Sequence, residues 1–169
     1  MPIVSAVQRE GVIEMQTEEA GPETTASSTK SGADRHWDVL RVVLGVMYLL
    51  GALTHVLLGV LAPEIYPQFA NQALVAPYTD LWQSLVVPYL AILQPLVTVF
   101  EVGLAVALCW RGRAVLLGHA AGAVFQAGLV LSGPWGPINA ALALVHVAAL
   151  HRSYPSTVLD LVRRGETGT

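Results

Sequence analysis

The chain has 169 residues, 54% of them hydrophobic and only 12% charged, with a formal net charge of −3. Charged residues make up about a quarter of an ordinary soluble domain, so this composition excludes one and points to a bilayer. A single cysteine, Cys109, excludes an internal disulfide and any CxxC redox relay.

Residues 1–33 carry Glu10, Glu14, Glu18, Glu19 and Glu23, and a polar run, PETTASSTKSGAD, opens at Pro22. This stretch has too little apolar surface to offset its ordering entropy and reads as a disordered cytoplasmic tail. It lacks the basic start and short apolar core of a signal peptide. Four apolar stretches follow, at about 38–62, 86–110, 114–131 and 135–152. Spanning the hydrocarbon takes about 20 apolar residues. The fold class expected is therefore all-α: an integral membrane four-helix bundle over residues 34–154, with a long extracytoplasmic loop between the first two helices. Within that loop PYTDLWQSLVV predicts a short interfacial helix. Pro95 lies inside the second span, where it should kink the helix and free a carbonyl. GHAAG at 118–122 has the GxxxG spacing that lets helices approach closely. Residues 155–169 form a second tail, in which STVLDLVRR predicts a short amphipathic helix.

The basic residues orient this bundle. Arg9, Lys30, Arg35 and Arg41 precede the first span, Arg111 and Arg113 form the turn between the second and third, and Arg152, Arg163 and Arg164 follow the fourth. All nine fall on one side of a four-pass arrangement, so the positive-inside rule places both termini in the cytoplasm of a multi-pass cell-membrane protein. Trp37, Trp82, Trp110 and Trp135 sit at helix ends, as an interfacial belt requires.

Each span carries two polar residues seven apart: Tyr48 and His55, Gln94 and Glu101, His119 and Gln126, Asn139 and His146. Seven residues are nearly two turns, so each pair shares a face. At ~1.5 Å per residue from the arginines, Tyr48, His119, His146 and Glu101 form an inner layer about 9–15 Å deep, and His55, Gln94, Gln126 and Asn139 an outer layer at about 20–25 Å. Lipid satisfies none of these groups, so they should face each other. Glu101 is the candidate catalytic residue, expected to pair with His119, His146 or Tyr48. His55, His119, His146 and Tyr48 are candidate cofactor-binding residues. Gln94, Gln126 and Asn139 read as interhelical glue, and Cys109 as packing. The cofactor is undetermined, since two histidines are a thin signal for haem. No metal site is assigned, since a closed site takes three or four ligands. There is no phosphate loop, nucleophile motif or basic face for nucleic acid.

The stretch FEVGLAVALCWRGRAVLLG, from Phe100 to Gly118, resembles the central signature of DoxX-like membrane proteins, and RVVLGVMYLLGALTHVL, from Arg41, resembles their first helix. The resemblance implies the four-pass layout and a functional Glu101. It implies a subunit or accessory factor of a membrane assembly, quinone-linked, with the lipid bilayer and other membrane subunits as partners. A stand-alone oxidoreductase with bound quinone or haem and a small proton-coupled transporter are the alternatives.

Overall fold

The computed structural model describes residues 32–166, with side chains described for 35–163. The expected disordered tail lies outside the described residues except for its last two. The helices are α1 (Gly32–Leu61), α2 (Ile65–Gln68), α3 (Ala76–Leu81), α4 (Leu90–Cys109), α5 (Arg113–Leu129), α6 (Gly136–Ala149) and α7 (Val158–Glu166). Short 3₁₀ and π turns link several of them, and no strand occurs among the described residues. Three helical stretches are long and apolar enough to cross a membrane: Arg35–Leu61, Ala76–Cys109 and Arg113–Ser132.

The fourth expected span, 135–152, is shorter than its apolar run suggests. α6 has 14 residues, a length of about 21 Å against a hydrocarbon core of about 30 Å. Both of its ends are set locally. Gly133 turns the chain at φ 126°, a conformation other residues rarely adopt. After Ala149 the chain folds back, and the Tyr154 hydroxyl donates to the Ala149 carbonyl at 3.1 Å.

α1 packs on α4, α4 on α5, and α5 on α6. The buried stripe of α1 is Arg41, Leu44, Tyr48 and Ala52, a helical spacing that gives α1 one inward face. Glycines on that face meet larger groups of α4 in antiparallel order. A Cβ at Gly45 would lie 3.3 Å from Cys109 Sγ, one at Gly51 would meet the Glu101 carboxyl, and one at Gly59 would overlap the Gln94 amide. In GHAAG the two glycines serve different neighbours: Gly118 lies against Ala107 and Leu108 of α4, and Gly122 against His146 and Tyr48. The outward faces remain apolar, with Leu50, Val60, Val99, Leu117, Val124 and Leu144 exposed.

The connections gather at two ends. At one, the α1–α4 connection meets the α5–α6 turn: Leu74 N–H donates to the Leu131 carbonyl at 3.0 Å, and Gly133 lies against Gln72. This is the connection end. At the other, the arginine end, the α4–α5 turn meets the segment after α6 through Gly112 N–H and the Tyr154 carbonyl, 2.7 Å apart. The loop helix expected from PYTDLWQSLVV is present as α3 and the π turn Trp82–Val86. The expected terminal helix is α7. Its cap is reciprocal: Thr157 N–H donates to Asp160 Oδ2 at 2.9 Å, and Asp160 N–H donates to Thr157 Oγ1 at 3.1 Å.

Candidate functional site

The interior polar residues form two groups, divided differently from the two layers expected from depth. The first is Tyr48, Gln126, His146 and His119. Gln126 Nε2 donates to the Tyr48 hydroxyl at 3.3 Å, the hydroxyl lies 2.8 Å from His146 Nε2, and His146 Nδ1 lies 2.9 Å from His119 Nδ1. Both imidazoles are fully buried. One direction of donation leaves the fewest atoms unpaired: Gln126 N–H to Tyr48, Tyr48 O–H to His146, and His146 Nδ1–H to His119. His119 Nε2 then carries a proton. That nitrogen has no hydrogen-bond partner, and neither does Gln126 Oε1.

The second group is Glu101, His55, Tyr66 and Gln94. Glu101 does not join Tyr48, His119 or His146, as the depth estimate led one to expect. Its ionic contact is His55, with Nε2 to Oε2 at 3.8 Å. Glu101 Oε2 has no hydrogen-bond partner. The reason is rotational: Glu101 faces α1 at Gly51, where a Cβ would lie 2.8 and 2.9 Å from the two carboxyl oxygens. Facing α1 brings it toward His55, one turn beyond Gly51. The His55 carbonyl accepts from Gln94 Nε2 at 2.6 Å and from the Tyr66 hydroxyl at 3.2 Å, and that hydroxyl is also 2.9 Å from His55 Nδ1. Burial pushes the Tyr66 phenol above the usual tyrosine range, and the Glu101 charge adds to this. Tyr66 therefore stays protonated.

The glutamine and asparagine expected as glue behave so in two cases. Gln94 holds the His55 carbonyl, and Asn139 donates to the Leu129 carbonyl at 3.1 Å, fastening the end of α5 to α6. Gln126 belongs to the histidine cluster instead.

Two important residues have roles that the depth scheme does not give. Tyr66 reaches back from α2, a contact between a loop and a span that periodicity does not reveal. The bracketing prolines in PEIYP, Pro63 and Pro67, are its only local signal of a tight return. Arg41 is the second. It is fully buried, pairs with Asp38 at 3.0 Å, and donates to the Trp110 and Ser156 carbonyls at 2.9 Å each. Its guanidinium also lies over the Tyr154 ring, 5.4 Å from the centroid. The signal was present, because Arg41, Tyr48 and His55 repeat every seven residues on one face. Together Arg41, Trp110, Tyr154 and Ser156 close the arginine end. No family model, curated protein or solved structure matches this chain.

Proposed function

We propose that the chain is a DoxX-like, four-pass protein of the cell membrane, with both termini cytoplasmic, that serves as a quinone-linked subunit or accessory factor of a membrane assembly. The alternating ends of α1, α4, α5 and α6 support the four-pass layout, with α6 extended by its flanking turns. Arg35, Arg41, Arg111, Arg113 and Arg152 at the arginine end support the orientation. The observation that carries the function is the set of unfinished polar atoms in the interior. Glu101 Oε2, His119 Nε2 and Gln126 Oε1 are buried without a hydrogen-bond partner between the spans, as is Arg41 Nε at the arginine end. Leaving such a group unmade costs about 1–3 kcal/mol, which pure glue would not incur.

A quinone matches these atoms. His119 Nε2–H would donate to a quinone carbonyl, and Gln126 Oε1 would accept from the hydroxyl of the reduced form. Glu101, in the neighbouring group, would exchange one proton with the reduced form. Two electrons and two protons separate the forms; this chain would supply hydrogen bonds and take one proton at Glu101, and a partner subunit would take the electrons and the second proton. The test is mass spectrometry of the organic extract from protein purified without added quinone. Wild type should carry isoprenoid quinone, and His119→Leu should lose it. Wild-type quinone no higher than in an unrelated four-helix membrane protein prepared in parallel overturns the reading.

A further inference from the structure

Glu101 needs a route by which protons come and go, and the two ends of the molecule differ in what they offer. Toward the arginine end the titratable neighbours are sealed. Tyr48 is 1% exposed, and His119 and His146 are 0%. Beyond them Tyr154 packs on His119, with ring centroids 5.5 Å apart, beneath the buried Arg41. Toward the connection end stands His55, whose side chain is 26% exposed against 7% for Glu101. His55 lies about 9 Å from the end of α1 at Leu61. The groups facing Glu101 are thus His55 and Tyr48 from α1 and Tyr66 from α2. The two histidines of α5 and α6 are bonded to each other and to Tyr48.

His55 is also held so that it can change protonation in place. The Tyr66 hydroxyl has two acceptors in reach, His55 Nδ1 at 2.9 Å and the His55 carbonyl at 3.2 Å. When the imidazole is neutral and Nδ1 is bare, Tyr66 donates to Nδ1. When Nδ1 carries a proton, Tyr66 turns its own O–H to the carbonyl and accepts from Nδ1–H. Neither state leaves a broken bond. Gln94 fixes the carbonyl that makes this exchange available. In both states Nε2–H faces Glu101 Oε2, and a movement of less than an ångström closes the 3.8 Å gap to a hydrogen bond.

We infer that His55 is the proton-exchange partner of Glu101, that Tyr66 is its two-way positioning residue, and that Glu101 therefore equilibrates with the connection side of the membrane and not with the arginine side. The step balances. A proton from solvent on the connection side binds His55 Nδ1 and makes the imidazolium. The imidazolium gives its Nε2 proton to the Glu101 carboxylate, leaving neutral His55 and a neutral carboxyl. Release runs in reverse. The inference rests on the membrane-spanning reading but not on quinone, so loss of the quinone proposal leaves it standing.

The test uses full-length protein reconstituted at less than one copy per vesicle. Vesicles are captured through a tag after Thr169, so the arginine end faces outward. Pressing the two sides to different pH values and labelling with dicyclohexylcarbodiimide, which modifies the protonated carboxyl, reports Glu101 by peptide mass spectrometry. Labelling should follow luminal pH and ignore external pH. After a luminal pH step, His55→Phe should respond about 10²-fold more slowly. His55→Gln, which keeps hydrogen bonding without titration, serves if the phenylalanine variant does not fold. Tyr66→Phe should slow the response while keeping the ring stack. Labelling that follows external pH, a wild-type response in both His55 variants, or no labelling at any pH overturns the inference. Carbonate extraction of the same membranes separately reports whether the chain spans the bilayer.

Discussion

Gly122→Ala tests whether the histidine cluster is packed as described. A methyl at this position would lie 2.6 Å from His146 Cε1, 2.7 Å from His146 Nε2 and 2.9 Å from the Tyr48 hydroxyl. Carbon atoms rest at about 3.5–4.0 Å, so the overlap is near 1 Å. The ring cannot yield freely, because its two nitrogens are tied to Tyr48 and His119. Overpacking costs about 1–3 kcal/mol, and losing one buried hydrogen bond adds about 0.5–1.5. Gly128→Ala is the matched control on the same helix, where nothing lies within 4 Å of the new methyl. Both variants gain the same helix propensity, about 0.5–1 kcal/mol, so their difference isolates the clash at about 2–4 kcal/mol. Unfolding by steric trapping in bicelles measures that difference directly. Equal stability of the two variants would refute the packing of Gly122 against His146 and Tyr48.

Arg41→Met should destabilise by about 3–5 kcal/mol, because it removes the buried ion pair with Asp38 and leaves two carbonyls without their donor; Arg41→Lys should recover only part of this, since one ammonium does not span both carbonyls. Denaturant titration in detergent measures both. Glu101→Gln should keep stability within about 1 kcal/mol yet lose quinone, whereas Glu101→Leu should lose both; full quinone retention in the glutamine variant makes Glu101 structural. Thr157→Ala should cost α7 about 1 kcal/mol of local stability, read as faster amide exchange confined to Val158–Glu166. With Cys109 replaced by alanine, cysteines at Asn71 and Arg111 should react with a membrane-impermeant maleimide from opposite sides; labelling from one side defeats the four-pass layout.

Periodicity made the helices legible because lipid imposes a simple rule: long apolar runs with charges only at the turns. It also put the right residues inside. Glu101, His119, His146, Gln126 and Tyr48 are all buried. What it could not supply was rotation. Depth along a helix follows from residue count, but which neighbour a face meets depends on packing, and here packing is set by glycines. Gly51 leaves room for Glu101 against α1, so the carboxyl turns toward His55. Gly122 leaves room for His146, so the imidazole reaches Tyr48. Tyr66 escaped notice for another reason: its partner is eleven residues back across a proline-bracketed return, and no period encodes that distance.

The same interior separates polar groups that finish their bonds from groups that do not. Gln94 and Asn139 each place an amide on a backbone carbonyl, and Thr98 donates to the Gln94 carbonyl one turn back. These bonds fasten backbone to side chain and need nothing further. Glu101 and His119 sit among them with an oxygen and a nitrogen unpaired. Both also stand near a glycine whose missing side chain makes room for a polar group: Gly51 for the Glu101 carboxyl, and Gly122 for the imidazole to which His119 is bonded. A bundle selected for stability alone would pair those atoms, since each unmet bond costs about 1–3 kcal/mol. The fit at Gly51 and Gly122 is tighter than at Gly45 and Gly118, where an added Cβ would meet its nearest neighbour at 3.3 and 3.1 Å rather than at 2.8 and 2.6 Å. Close packing thus sits beside unmet bonding, and Glu101 Oε2, His119 Nε2 and Gln126 Oε1 are buried atoms between α1, α4 and the α5–α6 pair that are left with capacity for a further hydrogen bond.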